Sequence, residues 1–309
     1  MTSNPDQIPA ATRLWLAENF RQQDPERGVL KTVSDLLQTV VGEKRLDHEL
    51  LEQILLPVLS DLTENPLSQL CWYTPSGGLD YRSLHALNAM RMAMFYGLAH
   101  EKSEAGVVRL GVTGLLYDIG MWLPEANSLL TDKAGVDNQM MAVMLKLPTR
   151  AAELLTELND VDDALLRVSL EHHERADGSG YPDSLPRNQL HDASLLFQMI
   201  DSFLGQVEHR HFRPLRSSVD ARARLVTQQK RGHYDQAVFK KFLVAFGLFP
   251  IGSIVRLRSG ALALVTGVQK DDLKRPPVRL LTDEAGHQRK QMVEMRLKDH
   301  PAEAITDGL

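Results

Sequence analysis

His172-His173-Glu174-Arg175-Ala176-Asp177-Gly178-Ser179-Gly180-Tyr181-Pro182 breaks an otherwise helical stretch with two glycines and a proline. Adjacent histidines at a helix end can each offer a ring nitrogen to a metal, and imidazole suits iron, manganese or zinc. Glycine admits positive φ, so the segment can fold tightly against the histidines and aim Tyr181 at them. Two histidines alone read more simply as surface residues before a turn. The ordered string of glycines, tyrosine and proline behind them weighs against that.

On both sides of this string, over residues 80–247, apolar residues recur with helical spacing. One helix runs through His85, and others cover 107–118 and 136–147, the latter ended by Pro148. Further helices lie at 165–173, 190–207, 219–229 and 235–246, with Ser218 and Asp235 suited to cap the last two. Upstream, Val29, Leu30, Val33, Leu36, Leu37, Val40 and Val41 form one amphipathic helix that stops at Gly42. Leu50, Leu51, Ile54, Leu55, Val58 and Leu62 form a second, which Pro57 should kink. Thr74-Pro75-Ser76-Gly77-Gly78 marks a domain boundary. No receiver, nucleotide-binding or repeat pattern precedes it.

After Pro250 the period changes to two. Ile254, Val255 and Leu257, then Leu262, Leu264 and Thr266, flank the hairpin signal Ser259-Gly260, and 278–281 and 292–297 add strands. The expected fold is mainly α: a helical bundle with an N-terminal helical segment and a small C-terminal β-barrel-like unit. The expected divisions are 1–78, 79–248, 249–300 and a tail, 301–309.

Composition narrows the function. The chain has 309 residues, 43% hydrophobic, and a formal net charge of -5, so it carries no basic field to hold a nucleic-acid polymer. Its single cysteine, Cys71, rules out an intramolecular disulfide framework and a cysteine-based zinc site. Neither a signal-peptide pattern nor an apolar run of the roughly 20 residues that span a bilayer is present. The expectation is a cytoplasmic protein without a membrane partner.

With these landmarks in place, the string resembles the signature of HD-GYP domains, a bacterial branch of the HD metal-dependent phosphohydrolases. The resemblance runs from about Asp80 to Phe246, a little over half the chain. It implies an HD-type helical bundle, a divalent metal centre (iron, manganese or zinc) and hydrolysis of cyclic di-GMP to linear pGpG or GMP. It also implies cyclic di-GMP or a related phosphoester as ligand, a GGDEF-type signalling domain as partner, and a homodimer. Residue by residue, the resemblance assigns metal binding to His85, Asp118, His172, His173 and Asp201, with Asp118 bridging two metals. Substrate contacts fall on Arg175, Gly178, Gly180, Tyr181 and Pro182 in the loop, and on Arg210 and Arg213 beyond it.

Three positions depart. The family's His-Asp pair reads Tyr117-Asp118, its phosphate-contacting lysine is Met121, and a histidine before proline is Leu147, before Pro148. Each implied metal position thereby loses one protein ligand and keeps three, enough for a centre with open positions. Leucine cannot coordinate at all, and losing the lysine removes positive charge from the scissile phosphate. The expectation is cyclic-dinucleotide or partner binding with weak or no hydrolysis, over a mononuclear or metal-free site. The alternatives are an active phosphodiesterase with an atypical metal centre and a non-catalytic scaffold.

Simpler readings apply to single residues. His85 alone would be a packed histidine, whereas Asp118 and Asp201 lie in apolar helices where an unpaired carboxylate is costly. Arg210 and Arg213 could pair with surface carboxylates. Met90, Met92, Met94, Met140, Met141 and Met144 read as core filler, Trp72 and Trp122 as packing anchors, and His209, His211 and His233 as surface residues.

Overall fold

In the computed structural model, which describes residues 27–64, 80–129, 137–208 and 216–308, the N-terminal periodicity becomes α1 (Arg27–Glu43) and α2 (His48–Glu64). Pro57 lies inside α2. Val33, Leu36, Leu37 and Val40 from α1 and Ile54, Leu55, Val58 and Leu62 from α2 are buried in the core that the later helices also fill.

α3 (Tyr81–Ala99) is the central helix, buried on nearly every side, and Asp80 caps it by accepting from the Arg82 N–H. It lies against α4 (Glu104–Leu116) at a distance only glycine permits: a Cβ on Gly114 would fall 2.5 Å from Met90 Cα. This approach brings His85 on α3 close to Tyr117 and Asp118 just beyond α4.

After two 3-10 turns, Ile119–Trp122 and Pro124–Leu129, come α5 (Asn138–Met144), α6 (Leu147–Thr156) and α7 (Asp163–Glu171). Pro148, expected to end a helix, instead sits in the first turn of α6. Proline's fixed φ and missing N–H suit that position. Leu147, Ala151, Leu154 and Leu155 then form the buried stripe of a helix that the sequence reading left out. The helical part closes with α8 (Asp192–Val207), α9 (Ser218–Lys230) and α10 (Gln236–Phe246). Asp235 caps α10 as expected, but the cap of α9 is Ser217 rather than Ser218. The Ser218 hydroxyl instead lies 2.9 Å from that of Ser253, joining α9 to the segment leading into the sheet.

β1 (Ile254–Leu257), β2 (Leu262–Val265), β3 (Pro277–Thr282), β4 (Gln288–Arg296) and β5 (Ile305–Gly308) pair antiparallel in the order β4-β3-β2-β1-β5. This corrects the barrel expectation. The sheet is open, with β4 and β5 at its edges. Alternating hydrophobicity marks strands, but closure depends on strand tilt and edge pairing, which alternation does not encode. The residues read as a tail include β5, which pairs with β1. The sheet has its own small core of Val255, Leu257, Ala263, Val265, Val278, Leu280 and Leu297.

No helix among the described residues is long and apolar enough to cross a membrane. Cys71, Trp72, residues 74–78, His209, Arg210, His211 and Arg213 lie outside the described residues.

Candidate functional site

Four helices bring the sequence-predicted ligands to one point. His85 comes from α3, Asp118 from just beyond α4, His172 and His173 from just beyond α7, and Asp201 from α8. One ligating atom each of His85, Asp118 and Asp201 lies within 4.8 Å of the others. Each aspartate faces two imidazoles. Asp118 presents one oxygen 3.9 Å from His85 Nε2 and the other 3.9 Å from His172 Nε2. Asp201 presents one oxygen 3.6 Å from His85 Nε2 and the other 3.7 Å from His173 Nδ1. Donors sharing a cation at about 2.1 Å from each lie roughly 3 to 4 Å apart, so this spacing suits one.

Hydrogen bonds fix the tautomers accordingly. His85 Nδ1 meets the buried Glu208 carboxylate at 2.6 Å, and Asn88 donates to the other Glu208 oxygen at 2.9 Å. A carboxylate only accepts, so Nδ1 carries the proton and Nε2 turns its lone pair inward. His172 Nδ1 likewise donates to the backbone carbonyls of Val168 and Ser169, at 3.1 and 3.0 Å. Its Nε2 is buried without a hydrogen bond and faces Asp118. A buried imidazole acceptor directed at a carboxylate is poorly placed unless a cation lies between them. The donor set therefore fits a divalent cation.

Tyr117 enters this set directly. Its hydroxyl lies 2.5 Å from His85 Nε2 and 3.4 Å from Asp201, while its ring packs edge-on to His172 and against Phe197. The other two departures share one wall. Leu147 is buried in a separate apolar cluster with Ala126, Leu129 and Met140, and Met121 and Met144 pack on it. Met121, Leu129, Met140, Met144 and Leu147 line a small cavity of about 50 Å³ that reaches Asp118, His173 and Asp201. Where the resemblance implies a histidine and a lysine, this wall is hydrocarbon and sulfur.

The opposite wall is the glycine loop. Gly178 has φ +76°, as the sequence suggested, but Gly180 is required for closeness: a Cβ there would lie 2.3 Å from Glu174 Cα. The Glu174 carboxylate accepts from the backbone N–H of Asp183 at 2.7 Å and of Leu185 at 3.1 Å, holding the loop's far side. Burial pushes the Glu174 carboxyl up, against those hydrogen bonds. Tyr181 stacks on His173 with ring centroids 4.7 Å apart, and the Tyr181-Pro182 peptide is cis. Beyond the histidines opens a polar cleft of about 480 Å³, lined by Arg175, Arg216 and Arg224 among others.

Sequence reasoning missed Glu208, Arg216, Arg224 and the polar face that α8 presents to this cleft. An acid at the C-terminal end of an apolar helix opposes the helix dipole, and that was the available signal for Glu208.

The chain is similar to several known proteins. A family model described as HD domain matches residues 59–238. Over 202 residues the chain is 27% identical to a cyclic di-GMP phosphodiesterase of Pseudomonas aeruginosa, covering 65% of this chain and 48% of that protein. Over 163 residues it is 29% identical to a 3′3′-cGAMP-specific phosphodiesterase of Vibrio cholerae, covering 51% of this chain and 29% of that one. The chain thus spans about half the length of the first relative and under a third of the second. Among solved structures, an HDG"Y"P protein from Bdellovibrio bacteriovorus matches with a TM-score of 0.54 at 12% identity, over 70% of this chain and 68% of that one, a likeness of fold.

Proposed function

From the premise that this chain belongs to the HD domain family, we propose that it is an HD-GYP-like signalling protein that binds a cyclic dinucleotide beside a single cation and hydrolyses it weakly or not at all. One observation carries the reading: the Tyr117 hydroxyl lies within the donor set, hydrogen-bonded to His85, while Leu147 and Met121 seal the neighbouring wall with apolar side chains. His85, Asp118, His172 and Asp201 would hold the ion. When bound, a divalent iron, manganese or zinc supplies Lewis acidity toward a phosphate oxygen. The similarity to phosphodiesterases of cyclic di-GMP and 3′3′-cGAMP supports a cyclic dinucleotide as ligand. Arg175, Arg216 and Arg224 supply the positive lining that its phosphates require.

Weak turnover follows from the missing groups. Met121 brings no charge to a phosphate, and one preorganised charge contact is commonly worth about a hundredfold or more in rate. Under the same reading the glycine loop, with Asp177 and Ser179 exposed, offers a GGDEF-type domain its docking edge, and the protein acts as a homodimer. A working phosphodiesterase with an atypical single-metal centre is the second reading, favoured by the inward, unpartnered Nε2 of His172.

The test combines metal analysis with turnover. Wild-type protein is expected to carry at most one ion per chain and to bind cyclic di-GMP without releasing pGpG or GMP. The Tyr117→His/Leu147→His double variant should hold more metal and gain turnover. Brisk hydrolysis by the wild type would overturn the proposal in favour of the enzyme.

A further inference from the structure

Apolar residues occupy most of α8, yet one face of it carries Gln198, Asp201 and Gln206 into the polar cleft. Asp201 belongs to the cation centre. Gln198 has no such duty. It is 3% exposed, and neither its amide oxygen nor its amide nitrogen makes a hydrogen bond. Gln206 repeats the pattern in part: Nε2 donates to the Ser202 carbonyl at 2.8 Å, while Oε1 is buried without a partner. Burying an amide with both ends unsatisfied is unfavourable, and a folded protein resolves it with a ligand or an ordered water. The cleft of about 480 Å³ has the size of a small-ligand site. Arg175, Arg216 and Arg224 provide positive charge along it, and Tyr181 adds an aromatic face.

We propose that Gln198 reads the edge of a purine base of the bound nucleotide, its amide oxygen accepting an N–H and its amide nitrogen donating to the adjacent acceptor. The pairing needs a donor and an acceptor side by side in one plane, which purines provide: N1–H beside O6 in guanine, and N6–H beside N7 in adenine. Gln206 Oε1 accepts a second N–H from the same ligand. The inference deepens the cyclic-dinucleotide reading and rests on it, but requires no hydrolysis. It divides the site into a cation end at Asp118 and a base end at Gln198.

Titration calorimetry with cyclic di-GMP on the full chain tests this with two variants. Gln198→Met keeps the volume and removes both polar atoms; Gln198→Asn keeps the amide but draws it back by one methylene. Losing two hydrogen bonds should weaken binding roughly tenfold or more, at unchanged metal content and with no fall in the melting midpoint, since no internal hydrogen bond is broken. Gln198→Asn should weaken binding as well. If the wild type binds cyclic di-GMP and both variants bind it equally well, the base-reading role is overturned and the cyclic-dinucleotide reading stands. If the wild type itself does not bind, that reading fails and takes this one with it.

Discussion

The two walls that meet at Asp118 and Asp201 are built on different principles. The glycine-loop wall is held by directed polar contacts: Glu174 takes the N–H groups of Asp183 and Leu185, Asp177 takes the N–H and hydroxyl of Ser179, and Tyr181 N–H reaches the His173 carbonyl. The side chains of Met121, Leu129, Met140, Met144 and Leu147 that form the other wall meet by apolar packing. Directed contacts fix each atom along a line, so a small displacement loses several at once. Packed hydrocarbon accepts substitutions that conserve volume. The difference explains how the second wall can carry Leu147 and Met121, where the family resemblance implies a histidine and a lysine, while the fold around them stays intact.

The largest expected effect uses this contrast. Gly180→Ala drives a Cβ into the Glu174 backbone, where no flexible atom can yield, and should destabilise the protein by about 3 kcal/mol through overpacking. Cyclic di-GMP binding should be lost with the loop. Leu147→Met on the other wall should cost less than about 1.5 kcal/mol. Urea unfolding of both variants measures the difference, and equal losses would break the comparison between the walls.

A smaller effect is expected where the walls meet. Tyr117→Phe keeps the ring packed on His172 and Phe197 but removes the hydroxyl that His85 and Asp201 share. Loss of a hydrogen bond to a buried imidazole should cost about 1 to 2 kcal/mol in metal-free protein. Added Mn²⁺ or Zn²⁺ should recover part of it, because His85 Nε2 then faces the ion without competition. Melting curves with and without metal decide this, and a variant that melts like the wild type in both would remove Tyr117 from the donor set.

These contrasts also show what the sequence made legible. Asp118 and Asp201 could be picked out because a carboxylate in an apolar helix demands a partner, whereas His85, His172 and His173 stood out only through the family resemblance; the five do converge. The same reasoning applied to Gln198, flanked by Phe197 and Met199, would have marked it too, but an uncharged amide raises less alarm than a carboxylate. α6 was lost because Pro148 reads alike as the end of one helix or the first turn of the next; only the following residues separate the two. Arg222 defied its type altogether. It is buried with its guanidinium on the rings of Phe203 and Phe242, at 4.8 and 4.6 Å, and burial pushes its pKa down to about 9. Nothing local in Asp220-Ala221-Arg222-Ala223 signals that, because the aromatic rings come from α8 and α10.

The smallest expected effect asks whether the loop wall is fastened electrostatically at its far end. Arg187, just past the loop, meets Asp235 at 2.6 Å, and Asp235 also caps α10 by accepting from the Val238 N–H at 2.9 Å. Burial alone would raise the Asp235 carboxyl, but the Val238 N–H and the Arg187 guanidinium outweigh it and hold the group below its usual range. A carboxyl depressed in the folded state contributes stability above its unfolded pKa, near 3.9, and loses it as pH falls through the folded value. Arg187 is 40% exposed, so solvent screening keeps this contribution below about 1 kcal/mol. Asp235→Asn preserves the cap, since asparagine serves that position equally well, but cannot titrate. Urea midpoints at pH 6 and pH 4 should therefore fall less for Asp235→Asn than for the wild type, whereas Leu147→Met should follow the wild-type slope. If Asp235→Asn kept the wild-type slope, the Arg187 pair would contribute nothing to fastening the loop. The loop wall would then depend on hydrogen bonds such as those to Glu174, Asp177 and the His173 carbonyl.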